Sequence, residues 1–149
     1  MSLIKSISGI RGTIGGKVDD NLTPVDVVKF TAAFGTWLQK TQNKKDLTLV
    51  IGRDARISGA MVNSLVTATL QGLGINVVDL GLSTTPTVEV MVPELKAAGG
   101  IILTASHNPK QWNALKLLNE KGEFISGKDG AEMLEIAEKE DFNFAEEMI

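Results

Sequence analysis

Gly99-Gly100-Ile101-Ile102-Leu103-Thr104-Ala105-Ser106-His107-Asn108-Pro109 is the stretch that decides the fold. Gly99–Thr104 has an uninterrupted apolar centre and is too short for a typical helix. It reads as a strand buried on both faces, ending in a polar loop over Ala105–Ala114. Strands of that kind belong to α/β domains, where helices cover the two faces of a sheet. Working outward, the same alternation continues in both directions. Leu3–Ile7, Leu47–Gly52, Ile75–Leu80 and Leu115–Asn119 read as further strands, with a glycine-dense loop over Gly9–Gly16.

Helical stretches lie between them. Thr23-Pro24-Val25-Asp26 is a start signal, with a capping hydroxyl, a proline suited to the first turn and an acid facing the helix dipole. Val27, Phe30, Phe34, Trp37 and Leu38 then recur at helical spacing, and that helix should end near Asn43. Ser58 is expected to cap a second helix whose core face is Val62, Leu65, Val66, Thr69, Leu70 and Leu73. A short helix should run from Thr85-Pro86 to about Val92, stopped before Pro93. Lys128–Lys139 reads as the last, with Ala131, Leu134 and Ala137 inward. The expected architecture is three-layer α/β/α with a mixed, mainly parallel sheet, forming one domain over 1–149. Residues from about 140 onward read as the start of a linker.

The 149 residues suffice for one core, and 43% hydrophobic with 22% charged residues is an ordinary globular balance. Fifteen Lys and Arg against 18 Asp and Glu, a formal charge of −3, provide no basic field for nucleic acid or an anionic membrane. The absence of cysteine excludes disulfides, thiolate catalysis and zinc ribbons. One histidine, His107, excludes any site built on two imidazoles. No apolar run is long enough for a membrane span, and the first residues lack a secretory pattern, so the cytoplasm is the expected compartment. Walker, dinucleotide-binding, nucleophile-elbow and metalloprotease motifs are all absent.

Three loops, each read as following a strand, carry Arg, Ser and Gly between them: Ser8–Gly12 and Gly52–Gly59 hold all three, and Thr104–Pro109 adds Ser106 beside His107. Ligands of open α/β sheets gather at such carboxyl ends. Backbone N–H groups and guanidinium forks there suit an oxyanion or phosphate. Structural readings stand beside this one. Asn108-Pro109 fits a plain turn, and Asp54 and Arg56 can pair locally while Ser58 caps a helix. Ser106 beside His107 also resembles a hydrolase pair, but sequence neighbours rarely place hydroxyl and imidazole in reach.

In order and spacing these motifs resemble the N-terminal domain of the α-D-phosphohexomutases, the family of phosphoglucomutase, phosphomannomutase and phosphoglucosamine mutase. The likeness uses Ser8-Gly9-Ile10-Arg11-Gly12, Gly52-Arg53-Asp54-Ala55-Arg56-Ile57-Ser58-Gly59, Thr84-Thr85-Pro86-Thr87 and Thr104–Pro109, followed by Asn113 and Lys116. It implies that Ser106 is a phosphoserine nucleophile. That serine would exchange its phosphoryl group with a hexose or hexosamine phosphate through a bisphosphorylated sugar, which also acts as activator. Arg11 and Lys116 would neutralise the phosphate, with Lys116 assisting proton transfer, and His107 and Asn108 would orient phosphoserine and substrate. Mg2+ would be held by phosphorylated Ser106 and by aspartates of another domain. The chain would then be one part of a four-domain enzyme, inactive alone and partnered by the remaining domains. The N-terminal pattern is closest to the phosphoglucosamine mutase and phosphomannomutase branches. The alternative is a free-standing phosphate-binding or regulatory module. One departure is Ala114, where the family usually has glycine after the asparagine; a positive φ there would strain the alanine.

Overall fold

The computed structural model describes residues 2–6, 9–44, 46–106 and 108–147. Ile7, Ser8 and His107 therefore lie outside the described residues. Ten elements follow in order: β1 (Ile4–Ser6), β2 (Gly9–Thr13), α1 (Pro24–Gln42), β3 (Thr48–Arg53), α2 (Gly59–Gly72), β4 (Asn76–Leu82), α3 (Thr85–Glu94), β5 (Gly99–Leu103), β6 (Trp112–Leu118) and α4 (Gly127–Lys139). The six strands form one sheet in the order β1-β2-β6-β5-β3-β4.

The sheet is mixed, as expected, but its parallel share is smaller than the alternation suggests. Only β3–β4 and β3–β5 pair parallel; β5–β6, β2–β6 and β1–β2 are antiparallel. By direction, β2, β3, β4 and β5 run one way and β1 and β6 the other. Antiparallel pairing needs no crossover helix, so β6 joins β5 through a loop alone.

Side-chain alternation sorts the core into two layers. Leu49, Ile51, Ile101, Leu103, Leu115 and Leu117 face α1, α2 and α4, together with Phe30, Phe34, Val62 and Leu70. Val50, Ile102 and Leu118 point the opposite way, onto Val88 and Val92 of α3. This is the α/β/α sandwich, and every residue of β5 is buried.

Local signals explain most boundaries. Thr23 and Asp26 form a full capping box at α1, with each side chain accepting the other's backbone N–H. Asn43 ends that helix in the left-handed region. Four expectations are corrected. Gly9–Thr13 is strand β2, not loop, because it lies between β1 and β6. Its glycines mark close approach: Gly9 has φ +107, and a Cβ there would collide with the Leu115 carbonyl. Strand β6 begins at Trp112, ahead of the expected Leu115, since Arg11, Gly12 and Thr13 pair with Ala114, Asn113 and Trp112. Helix α3 runs through Pro93, which sits in the final turn, where one missing N–H is tolerable. Ser58 occupies the cap position of α2 without a capping bond, its hydroxyl instead accepting from Asn113 Nδ2 at 2.8 Å.

Residues 141–147 form no helix or strand but lie against the domain. Phe142 packs on the core, Asn143 N–H donates to Thr36 Oγ1 at 3.1 Å, and Ala145 N–H donates to Gly72 O at 2.9 Å.

Candidate functional site

Strands β3 and β5 end level with one another, Arg53 opposite Leu103, and the chain leaves both at the same edge. From β5 it enters Thr104-Ala105-Ser106. Ser106 is exposed and sits at φ +51, a left-handed conformation uncommon for a residue other than glycine. The turn puts its hydroxyl next to β6: Lys116 Nζ donates to Ser106 Oγ at 2.8 Å.

Lys116 pairs with Ile102 across β5–β6, so both point to the α3 face. Ala114, two residues earlier, shares that face and pairs with Arg11 of β2. Arg11 and Lys116 are thus diagonal cross-strand neighbours on one side of the sheet. Residues so placed are roughly 7–8 Å apart at the backbone, within reach of one phosphate for side chains this long. Arg11 Nε is buried and makes no hydrogen bond among the described residues. A buried guanidinium N–H without an acceptor carries an unmet desolvation cost, which an incoming oxyanion relieves. Two cations on one face of the sheet, one with an unpartnered Nε and one on a serine oxygen, are an arrangement that could meet an oxyanion near the carboxyl edge of β5.

Ala114 lies within β6, buried, and is not among the positive-φ residues. The strain that a left-handed backbone would impose there does not arise. Asn113 beside it is fully buried; besides its bond to Ser58, its Oδ1 accepts from Ala114 N–H at 2.8 Å.

The β3–α2 loop plays a different part from the phosphate contact its arginines suggest. Asp54 and Arg56 do pair, at 3.2 Å, and the Asp54 carboxylate also accepts the Thr104 hydroxyl at 2.6 Å. Thr104 Oγ1 in turn accepts Ser106 N–H at 3.1 Å. The Arg56 guanidinium donates to the carbonyls of Ser106, Asn108, Pro109 and Trp112. Its donors are occupied by the protein itself, whereas Arg11 Nε has no partner among the described residues and Lys116 Nζ meets the Ser106 hydroxyl. Asn108 contributes its carbonyl to Arg56, and its N–H donates to Ala105 O at 3.0 Å. Thr104 and the backbone-binding role of Arg56 went unread in the sequence, where Asp-x-Arg signals only a local pair.

Residues 3–144 match the family model for phosphoglucomutase/phosphomannomutase, alpha/beta/alpha domain I. The chain belongs to this family. A phosphoglucomutase/phosphomannomutase of Thermococcus kodakarensis is 35% identical over 136 residues, covering 90% of this chain and 30% of the relative. A phosphoglucosamine mutase of Alkaliphilus metalliredigens is 35% identical over 122 residues, covering 82% and 26%. Among solved structures, one from Thermus thermophilus superimposes with a TM-score of 0.79 at 28% identity, over 92% of this chain and 30% of that one. A phosphoglucomutase/phosphomannomutase family protein from Burkholderia thailandensis gives 0.76 at 24% identity over 95% and 32%, which speaks for the fold. This domain I thus spans about 30% of the length of the mutases it resembles. No helix among the described residues is long and apolar enough to cross a membrane.

Proposed function

We propose that this domain carries the phosphorylated nucleophile of a phosphosugar mutase, with Ser106 as the phosphoserine. The observation that carries the reading is the Lys116–Ser106 contact, with Arg11 and its unpartnered Nε diagonal to Lys116 on the same face. In the reaction, the bond between phosphorus and Ser106 Oγ breaks as one forms to a sugar hydroxyl; Lys116 gives a proton to the departing serine oxygen, and the sugar hydroxyl's proton replaces it on Nζ. Lys116 donates to Oγ and so offsets the charge that develops on the departing serine oxygen. A phosphoserine brings about −1.5 to −2 charges at neutral pH, which Arg11 and Lys116 face directly. Phosphoryl transfer depends mainly on alignment and charge neutralisation, both of which this pocket supplies. Return of the other phosphate from a bisphosphorylated sugar to Ser106 completes a net shift between O1 and O6 of a hexose or hexosamine phosphate. His107 and Asn108 orient the two phosphates in this scheme.

Among the described residues no group of three or more carboxylates or imidazoles could hold a metal ion. Asp54, the nearest carboxylate in sequence to the serine loop's partners, is committed to Arg56 and Thr104. The residues present therefore do not by themselves fit Mg2+. Phosphorylated Ser106 would be its one ligand here, and the family's metal would take its aspartates from elsewhere in a longer, cytoplasmic polypeptide. When bound, it would add Lewis-acid neutralisation of the phosphoryl group.

The test is incubation of the chain with a radiolabelled hexose 1,6-bisphosphate and Mg2+, followed by mapping of the label. Label on Ser106, absent from Ser106→Ala, is expected, together with no multiple turnover by the chain alone. Tight sugar-phosphate binding without transfer would favour a binding or regulatory module instead. Turnover by the isolated chain would refute its incompleteness.

A further inference from the structure

We propose that Arg56 is the positioning residue of the Ser106 loop, acting through the backbone rather than on the phosphate. The inference rests on the phosphoserine reading for the meaning of Ser106, while its geometry stands independently. A guanidinium has five N–H donors in one plane, and here all five are used. Nε donates to Asp54 Oδ2 at 3.2 Å. Nη1 donates to Pro109 O at 2.7 Å and Trp112 O at 3.0 Å. Nη2 donates to Ser106 O at 2.8 Å and Asn108 O at 2.9 Å.

Four carbonyls from a seven-residue span thus converge on one cation that lies 50 to 56 positions earlier in sequence. Such convergence dictates the path of the loop. Carbonyl dipoles drawn to a common point repel one another unless a positive centre lies between them, so the loop has this shape only with Arg56 in place. The left-handed φ of Ser106 is the outcome, because its own carbonyl is one of the four. Asp54 holds the fork from behind through Nε and the Arg56 N–H, and ties Thr104 to the same point. The Arg56 side chain is only 11% exposed, so solvent does not compete freely for these bonds.

Lysine cannot replace this arrangement. Its ammonium offers three donors from a single atom and lacks the planar fork that spans separate carbonyls. A merely electrostatic role for Arg56 would survive the exchange, whereas a positioning role would not. The pocket's division of labour follows: Arg56 shapes the loop, while Arg11 and Lys116 meet the anion.

The experiment compares the isotopically labelled chain with Arg56→Lys and Arg56→Ala by NMR. It reads the Ser106 Cα and Cβ shifts, then the affinity for inorganic phosphate followed at Ser106 and Lys116. Both variants are expected to keep the sheet's resonances, lose the left-handed Ser106 signature and bind phosphate roughly tenfold more weakly, the weight of about one charge-assisted hydrogen bond. Millimolar guanidinium is expected to restore both readouts in Arg56→Ala and not in Arg56→Lys, whose side chain fills the slot. Wild-type Ser106 shifts and phosphate affinity in Arg56→Lys would overturn the proposal, also where Arg56→Ala fails to fold. If the unmodified chain shows no phosphate response, the anion-pocket reading fails. The Ser106 shifts of the two variants then still decide the role of Arg56.

Discussion

Replacing Thr104 by valine isolates a single hydroxyl in the pocket's scaffold. The two side chains are nearly the same shape and share β-branching, so the buried position, 7% exposed, is filled much as before. What is lost is a relay of two hydrogen bonds. The hydroxyl donates to the Asp54 carboxylate at 2.6 Å, and its oxygen accepts the Ser106 N–H at 3.1 Å. A bond to a charged acceptor contributes about 1.5–3 kcal/mol and a neutral one about 0.5–1.5. The Asp54 side chain is 33% exposed and Ser106 lies at the surface, so water recovers part of both. The expected net destabilisation is about 2 kcal/mol. Urea unfolding of the chain measures it directly. With a slope of about 1–3 kcal/mol per molar, the midpoint should fall by roughly 1 M at unchanged slope. The Ser106 amide should also lose protection from hydrogen exchange. A midpoint within about 0.2 M of the parent, with Ser106 still protected, would refute the relay.

Three further outcomes are expected. Gly9→Ala forces a Cβ into the Leu115 carbonyl at a positive φ and should cost about 2–4 kcal/mol, seen as a drop in Tm with loss of β2–β6 cross-strand contacts by NMR. Lys116→Met should leave the fold intact but weaken phosphate binding by an order of magnitude or more in an isothermal titration, since it removes one of two open cations. Glu135, bonded to Lys139 one helical turn on, should titrate below the ordinary glutamate value of 4.5, mainly through that hydrogen bond and secondarily through the charge. A depressed carboxyl pKa favours the folded state above the unfolded value, and that small contribution disappears as pH falls through the folded pKa. Lys139→Met should return the Glu135 titration, followed by carboxyl 13C shifts, toward 4.5.

Much of the fold was legible because its signals are local. Thr23-Pro24-Val25-Asp26 announces α1, the left-handed Asn43 closes it, and the apolar runs of β3 and β5 can be little but buried strands. The failures share a different cause. Gly-Ile-Arg-Gly-Thr has the composition of a loop, and it becomes β2 only because β1 and β6 supply partners on both sides. Ser58 has the identity of a helix cap, yet a buried asparagine 55 residues away holds its hydroxyl.

The site divides along the same line. Sequence alone put forward the candidates: a serine after a buried strand, with Arg11 and Lys116 in motifs whose order resembles one family. It also allowed a local pair between Asp54 and Arg56, which the structure shows at 3.2 Å. Only tertiary structure decided which of these groups meet. Lys116 reaches Ser106 because β6 runs antiparallel to β5, and Arg11 stands diagonal to Lys116 on the same face because β2 runs antiparallel to β6. The left-handed turn at Ser106 follows from a guanidinium half a hundred residues away, and no local propensity encodes a constraint made of backbone carbonyls from another part of the chain.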